Sequence, residues 1–229
     1  MELMLDTANL KTIKEFLDIY PYVGITSNPT IIKKEGKIKF FEHFNKIRKL
    51  IGKERTLHIQ VVSQSAEEMI KEAEKIVEKI DKDVYIKIPV TEEGLKAIKI
   101  LKSRGFNVTA TAIYTKMQGL VAIAAGADYI APYFNRIQSR GSDAAATVAC
   151  FRQNIDYFKK KTKILAASFH HGGQVIKALQ AGADSVTIQP DLLREMVCIN
   201  PTNFIENAVV TFASDWEESQ GCKNILDCE

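Results

Sequence analysis

The stretch Ala181-Gly182-Ala183-Asp184-Ser185-Val186-Thr187-Ile188 joins the end of a helical pattern to a short apolar run. Its first four residues repeat an earlier segment, Ala125-Gly126-Ala127-Asp128, which has the same surroundings. Glycine at such a place ends a helix in the left-handed conformation without a steric penalty. The repeat therefore indicates a chain built from βα units, in which a strand follows each helix end.

On either side of this repeat, eight apolar runs alternate with helical segments along the chain. The runs show no clean alternation of polar and apolar residues, which is typical of parallel strands buried on both faces. The predicted strands are Leu3–Leu5, Val23–Thr26, Thr56–Val62, Val84–Pro89, Asn107–Ala112, Tyr129–Ala131, Ile164–Ala167 and Ser185–Ile188. The predicted helices between them are Leu10–Ile19, Phe40–Ile51, Ser65–Ile80, Thr91–Arg104, Leu120–Ala125, Ala144–Phe158 and Val175–Ala181.

Eight βα units of roughly 28 residues would fill the chain, which is near the lower size limit of a (β/α)8 barrel. We therefore predict an α/β fold, a TIM barrel that forms a single domain over residues 1–229. A doubly wound open sheet is the alternative, but no G-x-G-x-x-G follows a strand. One more amphipathic helix is predicted at about Thr202–Glu217. It could cover the barrel, pack on another subunit or simply complete the core.

Composition excludes several classes of protein. Hydrophobic residues make up 46% and charged residues 26%, the balance of a globular protein rather than a disordered one. A net charge of +3 with a pI near 8.5 does not argue for nucleic acid as a partner. No segment approaches the ~20 apolar residues of a membrane span, and the N-terminus lacks the pattern of a signal peptide. We therefore expect a cytoplasmic protein without a membrane partner.

The cysteines predict neither a metal site nor a disulfide framework. The four cysteines show no C-x-x-C spacing, and the four histidines form no H-E-x-x-H. A chain of this size does not need disulfides to stabilise its core. Cys222 and Cys228, near the C-terminus, could therefore be exposed thiols.

The active site of such a barrel lies at the carboxyl ends of its strands. Each polar residue there has a plain structural explanation when it is taken alone, but packing does not explain why so many share one end. They are Asp6, Asn28, Gln60, Lys87, Thr111, Tyr133, Asn135, Arg136, Ser168 and Gln189.

Lys87 is the most informative of these residues, because it interrupts the apolar run 84–90. A lysine is almost never fully buried unless it is paired. Burial would lower the pKa of its amine, and a neutral amine is a nucleophile that forms a Schiff base with a ketone. Alternatively, the ammonium could reach solvent along its alkyl chain or pair with a carboxylate.

The first two strands offer Asp6 and Asn28. Taken alone, Asp6 is best explained as the N-cap of the helix that follows, although it could also pair with Lys87 or act as a general base. Asn28 followed by Pro29 predicts an N-cap and a proline at the first helical position.

The remaining candidates divide in the same way. Gln60 stands in a buried run and needs hydrogen-bond partners there, whereas Thr111 could reflect β-propensity alone. Arg136 and Ser168 could hold an anion, since arginine matches phosphate geometry, or Arg136 could form a surface ion pair.

Five segments together give the chain a specific resemblance. They are Leu5-Asp6-Thr7-Ala8, Gly24-Ile25-Thr26-Ser27-Asn28-Pro29, Lys87-Ile88-Pro89-Val90-Thr91, Ala131-Pro132-Tyr133-Phe134-Asn135-Arg136-Ile137 and Ala166-Ala167-Ser168-Phe169. In this order they resemble the transaldolase and fructose-6-phosphate aldolase family of class I aldolases, over essentially the whole chain.

The resemblance implies a role for each residue that matches. Lys87 would form the Schiff base, and Asp6 and Asn28 would bind the hydroxyls of a dihydroxyacetone unit, with Asp6 also moving protons. Arg136 and Ser168 would hold the phosphate of a sugar phosphate. A water that shuttles protons would be positioned by Gln60, Thr111 and Tyr133.

The resemblance also implies how the protein assembles and what it does without. No metal or organic cofactor is required, because the lysine iminium is the electron sink. The family further implies a homo-oligomer, commonly a decamer of two pentamers, in which the C-terminal helix reaches a neighbour.

Three positions bear on the reaction and its substrate. Transaldolases usually carry Glu at the position of Gln60 and Phe at that of Tyr133, so the resemblance favours an aldolase that reversibly cleaves fructose 6-phosphate. A transaldolase, or a barrel that binds sugar phosphates without catalysis, is the alternative. The family often has Arg or Lys where this chain has His170, which makes a weaker phosphate site or a different anion an open expectation.

Overall fold

The computed structural model describes residues 1–197, 204–223 and 225–227. Its strands are β1 (Glu2–Asp6), β2 (Gly24–Thr26), β3 (Thr56–Gln60), β4 (Tyr85–Pro89), β5 (Asn107–Ile113), β6 (Tyr129–Pro132), β7 (Lys163–Ala166) and β8 (Ser185–Ile188). Its α-helices are α1 (Leu10–Ile19), α2 (Pro29–Lys34), α3 (Phe40–Ile51), α4 (Ala66–Lys79), α5 (Glu92–Ser103), α6 (Lys116–Ala124), α7 (Phe134–Ser139), α8 (Ala144–Tyr157), α9 (Gly172–Gln180), α10 (Pro190–Val197) and α11 (Phe204–Gln220). A short 3-10 helix, Ile225–Asp227, follows.

The strands close into a parallel barrel, which confirms the predicted (β/α)8 fold. Each strand pairs with the next, and β8 pairs back with β1 through the partners Leu5 and Ile188. The doubly wound open sheet is therefore excluded. Both ends of all eight strands lie within two residues of their predicted bounds. Continuous apolar runs mark buried parallel strands locally, so they can be recognised without knowledge of the tertiary structure.

The lower part of the barrel interior is filled by aromatic and polar side chains. The His58 ring stacks on Tyr85 at 4.7 Å and meets the edge of Tyr129 at 5.2 Å. Its nitrogens contact the hydroxyls of Thr109 at 2.9 Å and Thr56 at 3.0 Å. Burial, with positively charged side chains nearby, holds the pKa of His58 well below its usual range, so the ring is neutral.

This layer determines which residues face the upper end of the barrel. Side chains two positions apart on a strand point to the same face. Gln60 and Lys87 therefore lie directly above His58 and Tyr85, and they are opposite each other in the β3–β4 register. Asp6 likewise follows the buried Met4 on β1.

The helix ends agree with the sequence in most places. Gly126 and Gly182, the glycines of the repeated segment, both adopt the left-handed conformation, with φ of 87° and 96°. Asn28 caps α2 with Pro29 at its start, as predicted. The expectation that Asp6 caps α1 is wrong, because the Asn9 side chain accepts from the Thr12 N–H instead. Helices α7 and α10 were not predicted, because six and eight residues are too few to show a clear period.

The chain divides into two compact units, Met1–Pro190 and Asp191–Glu229. The first contains the barrel. The second contains α11, which confirms the extra C-terminal helix, although the predicted start at Thr202 lies outside the described residues. The single domain over residues 1–229 stays a prediction.

The C-terminal cysteines differ from expectation. Cys222 is disulfide-bonded, so the expectation of an exposed thiol there is wrong. That expectation rested on the spacing of the cysteines and on chain size, which do not reveal an individual disulfide bond. Cys150 is free and half-buried, while Cys198 and Cys228 lie outside the described residues.

Within the part of the chain that the structure describes, every helix is too short or too polar to cross a lipid bilayer.

Candidate active site

A polar cavity of about 380 Å³ opens at the carboxyl ends of the strands. It brings together residues from strands far apart in sequence. Of the eight residues to which the resemblance assigns a role, seven line it, namely Asp6, Asn28, Gln60, Lys87, Tyr133, Arg136 and Ser168. The eighth, Thr111, is buried behind Tyr133, and its hydroxyl donates to the Tyr133 hydroxyl at 3.3 Å. Of the two other polar candidates, Gln189 lines the cavity and Asn135 does not.

A second groove of about 470 Å³ adjoins the cavity and shares Pro29 and Gln60 with it. Its lining is mainly apolar and includes Phe40 and Phe41. Lys87 and Asp6 face the polar cavity and not this groove. The candidate chemistry therefore belongs to the polar cavity.

Lys87 is the buried amine of the site, with 4% of its surface exposed. Its Nζ donates to the Ser27 carbonyl at 2.8 Å, which fixes the side chain across the barrel from β4 towards β2. The alternative in which the ammonium reaches bulk solvent is therefore excluded. Burial lowers the pKa of Lys87, and the charge of Asp6 opposes that shift. A larger share of Lys87 is thus neutral and nucleophilic than in an exposed lysine.

Asp6 ends β1 and accepts a hydrogen bond from the last member of a chain of hydroxyl groups. The Thr26 hydroxyl donates to Asp6 Oδ1 at 2.5 Å. The Thr187 hydroxyl lies 2.7 Å from that of Thr26. Because the single hydroxyl hydrogen of Thr26 is donated to Asp6, the Thr187 hydroxyl must be the donor in the second bond. The chain runs from β8 through β2 to β1 and aims the carboxyl group into the cavity.

Asp6 and Lys87 perturb each other within the barrel. Burial raises the pKa of Asp6, while the charge of Lys87, the Thr26 hydrogen bond and the charge of Lys34 act in the opposite direction. Burial thus favours the neutral form of each group, and their mutual attraction favours the charged pair. Such a balance suits two groups that exchange protons with a substrate.

Asn28 caps a helix and also lines the cavity. Its Oδ1 accepts from the Ile31 N–H at 3.0 Å and so caps α2. This bond uses the oxygen of the amide and leaves the NH₂ group for the cavity, which Asn28 lines.

Gln60 and Tyr133 offer free hydrogen-bonding capacity. Among the described residues, the buried Gln60 Oε1 has no hydrogen-bond partner. A buried polar atom of this kind in a native protein calls for a water or a ligand. Burial raises the pKa of Tyr133, although its hydrogen bond with Thr111 opposes the shift. The phenol therefore stays protonated and able to donate.

A β-bulge places Thr111 next to Tyr133. The β5–β6 register shifts between Ala110 and Ile113, and Ala112 takes a left-handed φ of 57°. Bulges of this kind re-aim a side chain, often beside an active site.

The anion-binding candidates stand on the opposite side of the cavity from β2. Arg136 belongs to α7, directly after β6, and its side chain is exposed. Ser168 follows β7 with a left-handed φ of 63°, which is uncommon for a residue other than glycine. His170 lines the same cavity. Together they offer one fixed cation, a hydroxyl and an imidazole.

Three residues that shape this site were not predicted from the sequence. Thr26 and Thr187 hold Asp6, but their contact depends on the closed barrel and has no local signal. Lys34 lines the cavity, whereas its place in the last turn of α2 is explained equally well by the helix dipole. Helical spacing from Thr30 and Ile31, which also line the cavity, could have revealed it.

The chain is similar to known proteins over nearly its whole length. The family described as transaldolase/fructose-6-phosphate aldolase matches residues 3–221. A protein of Streptococcus pneumoniae (strain ATCC 700669 / Spain 23F-1), described as a probable fructose-6-phosphate aldolase, is 47% identical over 225 residues. That similarity covers 98% of this chain and 100% of the relative.

The hydroxyl chain predicts the titration of Asp6. Thr26→Val removes the donor that lowers the pKa of Asp6, so that pKa rises further. The lost bond also costs roughly 1–3 kcal/mol of folding free energy, because a buried acceptor loses its donor. Carbon-13 NMR of labelled aspartate, with Asp6 assigned through Asp6→Asn, measures the titration. Thr147→Val, which removes another buried hydroxyl on α8, is the control and leaves the pKa unchanged. An unchanged pKa in Thr26→Val would contradict the expectation.

Proposed function

Because the chain belongs to the transaldolase/fructose-6-phosphate aldolase family, we propose that it is a Schiff-base aldolase that reversibly cleaves fructose 6-phosphate. The products would be dihydroxyacetone and glyceraldehyde 3-phosphate. The observation that carries the proposal is the buried Lys87 amine, which faces a polar cavity beside Asp6. A lysine so placed has the lowered pKa that nucleophilic attack on a ketone requires.

The first step joins Lys87 to the ketone carbon of the open-chain sugar. The neutral amine adds to the carbonyl, and the resulting carbinolamine loses water to give an iminium ion. Asp6 is the proposed donor of a proton to the departing hydroxyl, and it takes a proton back on hydrolysis. The Asn28 NH₂ group donates to a hydroxyl of the three-carbon unit and orients it.

The second step breaks the bond between the third and fourth carbons. Asp6, which is ionised after the first step, is the proposed base that takes the proton of the hydroxyl on the fourth carbon, and the bonding electrons flow into the iminium to give an enamine. A water held by Gln60 Oε1, Thr111 and Tyr133 is the proposed carrier of that proton. The unpartnered Gln60 oxygen supports this role, since it can accept from such a water.

The third step decides between cleavage and transfer. Protonation of the enamine carbon and hydrolysis of the iminium release dihydroxyacetone, which completes an aldolase cycle. If an acceptor aldehyde reacts first, the enzyme acts as a transaldolase. The Tyr133 phenol stays protonated, because burial raises its pKa, and it is the proposed donor that favours release.

Charge in the cavity supports a phosphorylated substrate. Arg136 and Ser168 would contact the phosphate, because a guanidinium and a hydroxyl both donate to its oxygens. Lys34 adds a second exposed cation to the same cavity. Positive charge in a cleft attracts an anionic substrate before contact is made.

The deciding assay measures glyceraldehyde 3-phosphate released from fructose 6-phosphate, with and without erythrose 4-phosphate. We expect release without the acceptor, matched by free dihydroxyacetone. Borohydride added with dihydroxyacetone should leave one reduced three-carbon adduct on Lys87, seen by mass spectrometry. Lys87→Met should lower the rate by at least about a thousandfold and abolish the adduct, since the proposed mechanism forms the iminium on the buried amine of Lys87.

The control for this assay is Lys33→Met, an exposed lysine that lines the adjoining groove and keeps full activity. Release that requires erythrose 4-phosphate would identify a transaldolase instead. Binding of fructose 6-phosphate without turnover or adduct would identify a barrel that binds sugar phosphates without catalysis.

The Tyr133 hypothesis has its own test. Tyr133→Phe removes the phenolic proton near the enamine but keeps the ring, so the ratio of transfer to cleavage should rise, by roughly tenfold or more. The ratio follows from product analysis at a fixed erythrose 4-phosphate concentration. The control is Tyr157→Phe, an exposed tyrosine on α8. An unchanged ratio would mean that another group protonates the enamine.

We also propose that the protein works as a homo-oligomer, a decamer of two pentamers. Support comes from α11, on which Val209, Val210 and Phe212 are exposed in the single chain. Apolar side chains grouped in this way are typical of surfaces covered by another subunit. Light scattering should give about ten times the 25.7 kDa of one chain. A monomer mass would contradict the proposal.

A further inference from the structure

A network of hydrogen bonds around Gln174 joins the two segments that carry Arg136 and Ser168. Gln174 lies in α9 and is 3% exposed. Its Nε2 donates to Asn135 Oδ1 at 2.9 Å and to Gln138 Oε1 at 2.7 Å. Its Oε1 accepts from the His170 backbone N–H at 2.7 Å. One buried amide thus binds α7 on one side and the segment after β7 on the other.

Asn135 completes the network from α7. Its backbone N–H donates to the Ser168 carbonyl at 3.0 Å, and its Nδ2 lies 3.3 Å from His170 Nε2. Ser168 holds its left-handed conformation inside this network. A conformation of that kind is strained and persists only where the surroundings fix it.

We propose that Gln174 is the positioning residue for the anionic group of the substrate. This inference rests on the proposed function, in which Arg136 and Ser168 contact a phosphate. Gln174 does not line the cavity, so it acts through its neighbours. It fixes α7 at Asn135 and Gln138, the residues on either side of Arg136, and it fixes the turn that presents Ser168 and His170.

The physical benefit is preorganisation. Arg136 is long and exposed, and its binding to an anion loses side-chain and segment entropy. Anchoring both segments before binding reduces that loss. The effect should appear in the affinity for phosphate and in KM for phosphorylated substrates. It should not appear in the chemistry at Lys87, which is anchored separately through Ser27.

Gln174→Met tests the inference, since methionine keeps the length of the side chain but removes three hydrogen bonds. Calorimetry with inorganic phosphate should show binding about tenfold weaker than in the unchanged protein. KM for fructose 6-phosphate should rise by a similar factor, with kcat within about twofold. The addition of dihydroxyacetone to glyceraldehyde, which lacks phosphate, should be unchanged. Gln180→Met, an exposed position on the same helix, is the matched control.

Gln138→Ala provides a second variant at an exposed position, in case Gln174→Met does not fold. It removes one acceptor of the network, and phosphate binding should weaken by about twofold to threefold. Equal losses with glyceraldehyde and with fructose 6-phosphate would overturn the inference, because they would show a general structural role. Unchanged phosphate binding in the folded variants, or no phosphate binding by the unchanged protein, would also overturn it. If the protein binds phosphate but does not cleave fructose 6-phosphate, the proposed function fails while the calorimetry still decides this inference.

Discussion

Pairing of β1 with β8 closes the barrel, and the candidate site depends on that closure. The pairing places Thr187 of β8 within 2.7 Å of Thr26 of β2, although 161 residues separate them in sequence. Thr26 in turn holds Asp6 at the end of β1. In an open sheet, the first and last strands would be separate edges, and this chain of hydroxyls could not form. The carboxyl group therefore faces Lys87 because the sheet has no edge.

Closure of the barrel also determines the electrostatics of the site. Lys87 and Asp6 lie in an interior where an isolated charge is costly, yet each stabilises the charged form of the other. The layer below adds no charge, since burial keeps His58 neutral between two threonine hydroxyls. A protonated His58 would repel the Lys87 ammonium at short range. Because this layer is neutral, the protonation states in the upper layer depend on Lys87, Asp6 and the substrate.

Local signals in the sequence were sufficient for the barrel and for most of the lining of its cavity. Apolar runs and the two Gly-Ala-Asp segments mark the strands, and the period of two places Gln60 beside Lys87. What could not be predicted depends on distant partners. The sequence alone favoured Asp6 as a helix cap, whereas Asn9 is the cap in the structure. The contact between Thr26 and Thr187 exists only because the barrel is closed. The bulge at Ala112 and the turn at Ser168 likewise depend on neighbouring strands, since neither residue favours a positive φ.

The distribution of cations gives the cavity a positive charge although His170 replaces the arginine or lysine that the resemblance leads one to expect. Arg136 follows β6 and Lys34 lies in the helix after β2, and in a closed order of eight strands these two positions are opposite each other. Among the described residues that line the cavity, Asp6 is the acidic one, and Lys87 offsets it. The net field of the cavity is therefore positive without His170. Under the proposed function, long-range attraction comes from both exposed cations, whereas the bound geometry would depend on Arg136 and Ser168, whose segments the Gln174 hydrogen bonds connect. Under the proposed function, affinity for the phosphate and reactivity at Lys87 are therefore separate properties, held by different hydrogen bonds on different sides of one barrel.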